Sequence, residues 1–300
     1  MSQLHVVFGG GQIGSGVARS LVERGLRVRV VRRRSVDMGP GIEVVAGDAL
    51  DVAFARTAAA GASVVYHCMN PSAYTAKAWV SEFPRLGESV IAAALAADAR
   101  LVCLDNLYGY GVVDGRRAES TPLAADCPKG RVRIAWDARL RAAEAQGLRY
   151  VVGRAGDFFG PGAEQALFSE AVLQGIANGT RPWVIGDADA VHAFSYVPDV
   201  VASLVALGTA ANDVERQVFH LPVLEVSPRG LVERYGKAHG HEVAPRVLPA
   251  WLIRLMGPFP GFFGELGETL YQWDRPFLVD DQRFRARFPG LGTPIEQLAP

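Results

Sequence analysis

The stretch VVFGGGQIGSGVARSLVERGLRVRVVRRRS, residues 6–35, constrains the fold of this chain more than any other. Gly9, Gly11 and Gly14 stand in G-x-G-x-x-G spacing behind a short apolar run, Leu4–Phe8. Apolar residues then recur at Ile13, Val17, Leu21 and Val22, one face of a helix over residues 13–23, and Gly25 stops it. Residues 26–31 read as the next strand. In a strand–turn–helix of this kind the first glycine makes the tight turn and the second lets backbone approach a pyrophosphate. The third lets helix and strand pack closely, and the helix N-terminus supplies free N–H groups with a partial positive charge. Strand before and helix plus strand after are the context that turns a bare glycine triplet into a dinucleotide site.

The end of the second strand reads out which dinucleotide. An NAD-preferring site places Asp or Glu there, on the ribose 2′-hydroxyl. This chain has Arg32, Arg33 and Arg34, and its next acid is Asp37. Arginine suits a 2′-phosphate through forked, charge-assisted contacts. NADP(H) is therefore expected over NAD(H), with Arg32 and Arg33 as contacts; the alternative is a solvated basic turn.

The alternation continues. Ile42–Ala46 reads as a third strand ending in GDALD, and residues 62–68 as a fourth ending in HCMNPS. Residues 100–104 form a fifth, followed by DNLYGYG, and residues 148–154 a sixth, followed by AGDFFGPG. Helices are expected over 51–61, 79–97 and 131–146. Strands separated by helices of this length predict an α/β fold, a doubly wound parallel sheet whose ligands lie at the strands' carboxyl ends. After residue 160 the pattern loosens, and Gly, Pro and aromatic residues concentrate at 158–162, 181–186 and 257–277. The expected organisation is a nucleotide-binding domain over 1–160, to which 191–221 returns, and a smaller substrate-binding lobe over 161–190 and 222–300.

Basic and acidic residues balance at 31 each, which leaves no electrostatic footprint for nucleic acid and no polybasic membrane patch. The three cysteines, Cys68, Cys103 and Cys127, lack metal-ligand spacing, and an odd count argues against a disulfide framework; no metal is expected. No signal-peptide pattern opens the chain, and a cytoplasmic protein is the simplest reading. PAWLIRLMGPFPGFF, residues 249–263, is interrupted by Arg254 and three prolines and is too short to span a bilayer, so it reads as a pocket wall or lid. The small-residue run IAAALAA at 91–97 permits, without requiring, a homodimer seam built on the helices 79–97 and 131–146.

Together these landmarks resemble the short-chain dehydrogenase/reductase superfamily in its extended branch, over nearly the whole chain. GGGQIG resembles that branch's glycine turn, one residue tighter. GDALD is similar to the adenine-contacting G-D-x-x-D, which implies Asp48 on the adenine amino group. CLDNLYGYG, GRAGDFFGPG and FSYVPDV are similar to its S-S-x-x-V-Y-G, R-P-x-x-V-Y-G-P-G and F-x-x-V-x-D-V segments. The departure matters more. The superfamily's Tyr-x-x-x-Lys pair falls here on Lys129 and Arg133, and Cys-Leu or Asp-Asn replaces its Ser-Ser. The resemblance implies cofactor binding without the usual catalytic apparatus.

The cofactor set is therefore Gly9, Gly11, Gln12, Ile13, Gly14, Arg32, Arg33, Asp48, Ala49, Cys68, Met69, Asn70 and Arg133. Candidates for chemistry are Lys129, whose neutral amine could move a proton beside the cation of Arg133, a cofactor contact or a solvated basic face being the alternatives, Tyr110 as an extra phenol, with packing the competing reading, and Asn106 as a carbonyl-binding amide. Asp105 beside a cofactor is costly unless paired. Tyr108, Phe158, Phe159, His192 and Trp183 are expected at the substrate, His192 as a pocket acid. Trp251, Phe262, Phe263, Tyr271 and Trp273 extend that aromatic set, and ordinary core packing is the competing reading for most of it. His67 reads as a core histidine and Asp199 as a helix cap. The expected function is an NADP(H)-dependent oxidoreductase acting on an apolar carbonyl or conjugated-ring small molecule. A non-catalytic NADP-binding regulator, or a cofactor-assisted epimerase or isomerase, remains open.

Overall fold

Parallel pairing of buried strands organises the first half of the chain. In the computed structural model, which describes residues 3–256, 262–294 and 297, the strands β1 (Leu4–Phe8), β2 (Arg27–Arg32), β3 (Ile42–Ala46), β4 (Val64–His67) and β5 (Arg100–Asp105) are joined by two more, Arg149–Arg154 and Gln217–His220. They form one seven-stranded sheet in the order β3-β2-β1-β4-β5-(149–154)-(217–220). The pairings from β3 through to Arg149–Arg154 are all parallel. Strand order reverses between β1 and β4, which makes their carboxyl ends the switch point where such sheets take ligands.

Helices α1 (Gln12–Glu23), α2 (Val52–Ala58), α3 (Ala76–Ala96) and α4 (Pro128–Ala143) make the crossovers. The sequence supplies starts for two of them. Asp51 accepts from the Ala53 and Phe54 amides ahead of α2, and the Thr75 hydroxyl accepts from Ala78 ahead of α3. Elements fall within a few residues of expectation; α3 and α4 each begin three residues early. Val6, Val7, Phe8, Val17, Leu21, Val30, Val65, Leu101, Val102 and Val151 form the buried centre of this sheet.

The chain divides into two compact units. The first comprises 1–106, 131–154 and 200–219, and the second 107–130, 155–199 and 220–300. Residues 107–130, grouped with the nucleotide half on sequence grounds, thus pack within the second unit. That unit carries a three-stranded sheet in the order 224–226, 192–196, 157–159, and two two-stranded pairs, 183–185 with 246–248 and 116–117 with 278–279. Its core gathers Phe159, Phe168, Ile176, Val184, Phe194, Leu231, Val232, Ile253 and Trp273. Residues 257–261 of the apolar PAWLIRLMGPFPGFF stretch lie outside the described residues, as do the side chains of Phe262 and Phe263. Among the described residues no helix is long and apolar enough to cross a membrane, and no cluster of three or more His, Cys, Asp or Glu could hold a metal ion.

Candidate functional site

In the first unit, the turn after β1 is closed by backbone. Gly9 adopts φ +103°, its amide donates to the Val31 carbonyl at 3.0 Å, and a Cβ on it would lie 2.7 Å from the Cys68 carbonyl oxygen. A Cβ on Gly14 would lie 1.8 Å from the Gly9 carbonyl oxygen, so helix and strand meet at a distance only glycine allows. Gly11 differs: a Cβ there would meet nothing within 4 Å, and as N-cap of α1 it offers no side chain to the helix amides. Open space in front of an uncapped N-terminus, beginning with Gln12 and the buried Ile13, fits the pyrophosphate of a dinucleotide.

Arg32 ends β2 against this turn. Its Cδ lies 3.4 Å, and its Cβ 3.6 Å, from where a Cβ on Gly10 would stand. The Asp37 carboxylate is occupied locally, accepting from the Gly39 amide at 2.9 Å. Arg33 is exposed and bears on Glu82, whose carboxyl is held below its usual range first by the Ser72 hydroxyl at 2.6 Å, then by the Ser72 amide at 2.7 Å. The Asp48 carboxylate accepts from the Leu50 amide at 2.9 Å, beside the buried Ala49. Met69 reaches the glycine turn, its Cγ 3.0 Å from a Cβ on Gly9.

At the ends of β4, β5 and Arg149–Arg154 is a buried ionic group. Asp105 lies between Arg133 Nη1 at 3.0 Å and Arg154 Nε at 3.2 Å, and Arg154 Nη2 donates to Asp137 at 2.8 Å. The Arg133 guanidinium also lies over the rings of Phe83 at 4.1 Å and Trp79 at 4.7 Å, with Asn70 Oδ1 at 3.5 Å from its Nη2. The pairing that makes a buried Asp105 tolerable is thus present, and its side chain also takes the Asn106 amide at 2.9 Å. His67 packs against Phe83 and Trp136 at ring distances of 5.7 and 5.5 Å; burial, then Arg133, pushes its imidazole down to about 3, so it is neutral.

In the second unit Lys129 is fully buried. Its Nζ donates to Glu265 at 2.5 Å and to Glu268 at 2.7 Å, and its amide to Glu268 at 2.5 Å. An amine between two carboxylates is an arrangement suited to the ammonium ion rather than the neutral base that proton abstraction requires. Tyr110 is buried too, its hydroxyl 2.7 Å from His220 Nε2, while His220 Nδ1 lies 2.9 Å from the Asp280 carbonyl oxygen. A carbonyl only accepts, so Nδ1 carries the proton, Nε2 accepts, and the Tyr110 phenol donates.

Other expected pocket residues of this unit separate. Tyr108 and Phe158 are partly buried. Phe159 belongs to the core beside Phe194 and Tyr196. His192 is buried with Nε2 at 2.8 Å from Asp157, Nδ1 at 3.0 Å from the Gln272 carbonyl, and Trp273 stacked on it at 4.1 Å. Trp183 is 57% exposed and Trp251 64%. Asp199 stands in the first turn of its helix, Val197–Thr209, and its carboxylate accepts from the Thr293 amide and hydroxyl, each at 2.7 Å. Glu265, Glu268, His220 and Arg117 carried no sequence signal, because each meets its partners only through the tertiary fold.

The NAD dependent epimerase/dehydratase family matches residues 5–221. Among solved structures, UDP-glucuronic acid 4-epimerase from Bacillus cereus, in complex with UDP-glucuronic acid and NAD, superposes with a TM-score of 0.77 at 14% identity, covering 97% of this chain and 95% of that one. A putative epimerase from Burkholderia cenocepacia gives 0.75 at 18% identity, covering 99% and 95%. DesIV, a dTDP-glucose 4,6-dehydratase from Streptomyces venezuelae with NAD bound, gives 0.70 at 20% identity, covering 96% and 100%. At these identities the structures establish the fold alone, and comparison with curated protein sequences finds no match. With the family matched over most of its length, and the glycine turn and sheet order in place, the chain belongs to the NAD dependent epimerase/dehydratase family.

Proposed function

We propose that the chain is an NADP(H)-dependent oxidoreductase acting on an apolar carbonyl or conjugated-ring small molecule. The observation that carries the cofactor preference is Arg32, packed along Gly10 of the glycine turn where an NAD site places a carboxylate. The bound nicotinamide supplies or accepts the hydride. The chain's part is to hold the dinucleotide, exclude water and move one proton. Lys129 is committed to Glu265 and Glu268, which leaves Tyr110, hydrogen-bonded to His220, as the phenol that gives its proton to the substrate oxygen and afterwards takes one back from water, with Asn106 as the carbonyl-binding amide. The structural neighbours named for sugar-nucleotide epimerisation or dehydration point to a second use of the same fold, but here Lys129 and Arg133 replace the Tyr-x-x-x-Lys pair of the short-chain dehydrogenases. That replacement, with both residues in ion pairs, also favours a binding-only regulator as the competing reading.

Fluorescence titration with NADPH and NADH tests the cofactor assignment. NADPH is expected to bind more tightly, and Arg32→Ala with Arg33→Ala is expected to weaken NADPH by roughly tenfold to a hundredfold, about 1.4–2.7 kcal/mol for lost charge-assisted contacts. NADH affinity should change little. Equal affinities in the unmodified protein would contradict the assignment.

A further inference from the structure

Outside the groups described so far stands Arg117. It sits in the short strand Arg116–Arg117 of the second unit and is fully buried. Its Nη2 donates to the Gly111 carbonyl at 3.1 Å, and its guanidinium lies 3.8 Å from the Phe277 ring centroid. Nε and Nη1 have no hydrogen-bond partner among the described residues, and no carboxylate there forms an ion pair with this guanidinium. The contrast with its neighbour is direct, since Arg116 is forked onto Glu225 at 2.5 and 2.9 Å. Among the described residues the other arginines of comparable burial, Arg100, Arg133 and Arg154, each face a carboxylate.

A buried cation without a counter-charge carries a desolvation cost that the fold must recover elsewhere. Its surroundings recover only part of it, through the Gly111 carbonyl and the Phe277 ring. Burial, the largest influence, pushes the guanidinium down to about 10; Tyr271 opposes it, Arg275 adds a smaller push downward, and Tyr110 opposes it least. Tyr110 and Tyr271 belong to the set already considered at the substrate. Tyr110 is the phenol bound to His220, and the Tyr271 hydroxyl approaches the Tyr108 carbonyl at 3.4 Å. Phe277, beneath the guanidinium, stacks on His192 at 5.3 Å. An unsatisfied cation thus stands among aromatic and phenolic groups of one unit, where an oxyanion would take up both orphaned N–H groups or the one nearest it.

We infer that Arg117 is the recognition point for an oxyanion, a carboxylate or phosphoryl group carried by the molecule this unit binds. The inference rests on reading the second unit as the substrate side, and it deepens that reading: the substrate is an apolar skeleton with one anionic group. No part of Arg117 is open to solvent, so loading requires a local opening of the second unit. The Gly111 carbonyl already holds Nη2, which leaves Nε and Nη1 for the oxyanion.

The test reads binding, not turnover, so it stands apart from hydride transfer. Thermal melting of the NADPH-loaded protein is followed with inorganic phosphate, with benzoate, and with chloride at matched ionic strength. The expected result is a saturable rise of roughly 5 °C at about a hundredfold excess over Kd for phosphate or benzoate, and none for chloride. Whichever of the two acts identifies the group as phosphoryl or carboxylate. Arg117→Met should abolish the rise while leaving the unliganded melting temperature unchanged or higher, because it removes a charge that nothing balances. Arg117→Lys should keep a weakened rise. Equal rises in the unmodified protein and Arg117→Met, or none with either anion, would overturn the inference and assign the two N–H groups to buried water. So would a large fall in the unliganded melting temperature of both variants, which would mark Arg117 as a structural contact. A protein that shows the rise yet never oxidises NADPH would retain the anion site and lose the oxidoreductase reading instead.

Discussion

Asp105→Asn is expected to lower the free energy of unfolding by about 3–5 kcal/mol. The Asp105 side chain is 2% exposed and carries the charge that two buried guanidinium groups share. The amide keeps the shape and one acceptor oxygen but loses the charge. Arg154 retains Asp137, whereas Arg133 loses the carboxylate 3.0 Å from its Nη1 and keeps its cation–π contacts with Trp79 and Phe83. Such contacts return about 0.5–2 kcal/mol, less than the charge they replace. Urea unfolding followed by tryptophan fluorescence measures the change, and a loss below about 1 kcal/mol would show that the group is hydrated rather than held by Asp105. Because Arg133 also approaches Asn70, NADPH affinity should fall with it, in contrast to a surface substitution of similar chemistry.

Lys129→Met is the second large effect, about 3 kcal/mol of stability. It takes the ammonium from Glu268, whose side chain is 9% exposed and keeps the amide of residue 129, and from Glu265, whose water-facing edge tempers the loss. The discriminating comparison is Lys129→Met combined with Glu265→Gln and Glu268→Gln. Removing the whole charged group costs far less than breaking it, so the triple variant should recover most of the stability lost by the single one. If Lys129 instead moved a proton at the reacting centre, the triple variant would be stable and inactive. On the present account it is stable and retains activity.

These two predictions also mark how far the sequence could be read. The glycine turn was legible because its chemistry is local: Gly9, Gly11 and Gly14 act on backbone within a few positions, and the strand and helix around them announce themselves by apolar period. The parallel sheet followed from the alternation of strands and helices, and Asp105 was legible only as a charge costly beside a cofactor unless paired. What pairs with Lys129 was not legible, since Glu265 lies 136 positions away and Glu268 139. The i, i+4 spacing of Lys129 and Arg133 suggested one shared face, but the two side chains serve different carboxylates, one in each compact unit. Tyr110 was visible as an extra phenol; that His220, 110 positions on, lies 2.7 Å from its hydroxyl was not. Aromatic residues carried the weakest signal. Core burial and pocket lining look alike in composition, and of that set Trp183 and Trp251 face solvent while Phe159 and Trp273 belong to the core.

Deuterium labelling follows the hydride itself. Protein loaded with NADPH deuterated at the nicotinamide C4 is incubated with a panel of apolar aldehydes, ketones and quinones, and the products are analysed by mass spectrometry. The account predicts one deuterium in the product for each NADPH oxidised, with the accompanying proton drawn through Tyr110, so that Tyr110→Phe slows transfer without weakening NADPH binding. NADPH held tightly, and no deuterium in any product across the panel, would contradict it and identify the chain as a cofactor-binding regulator.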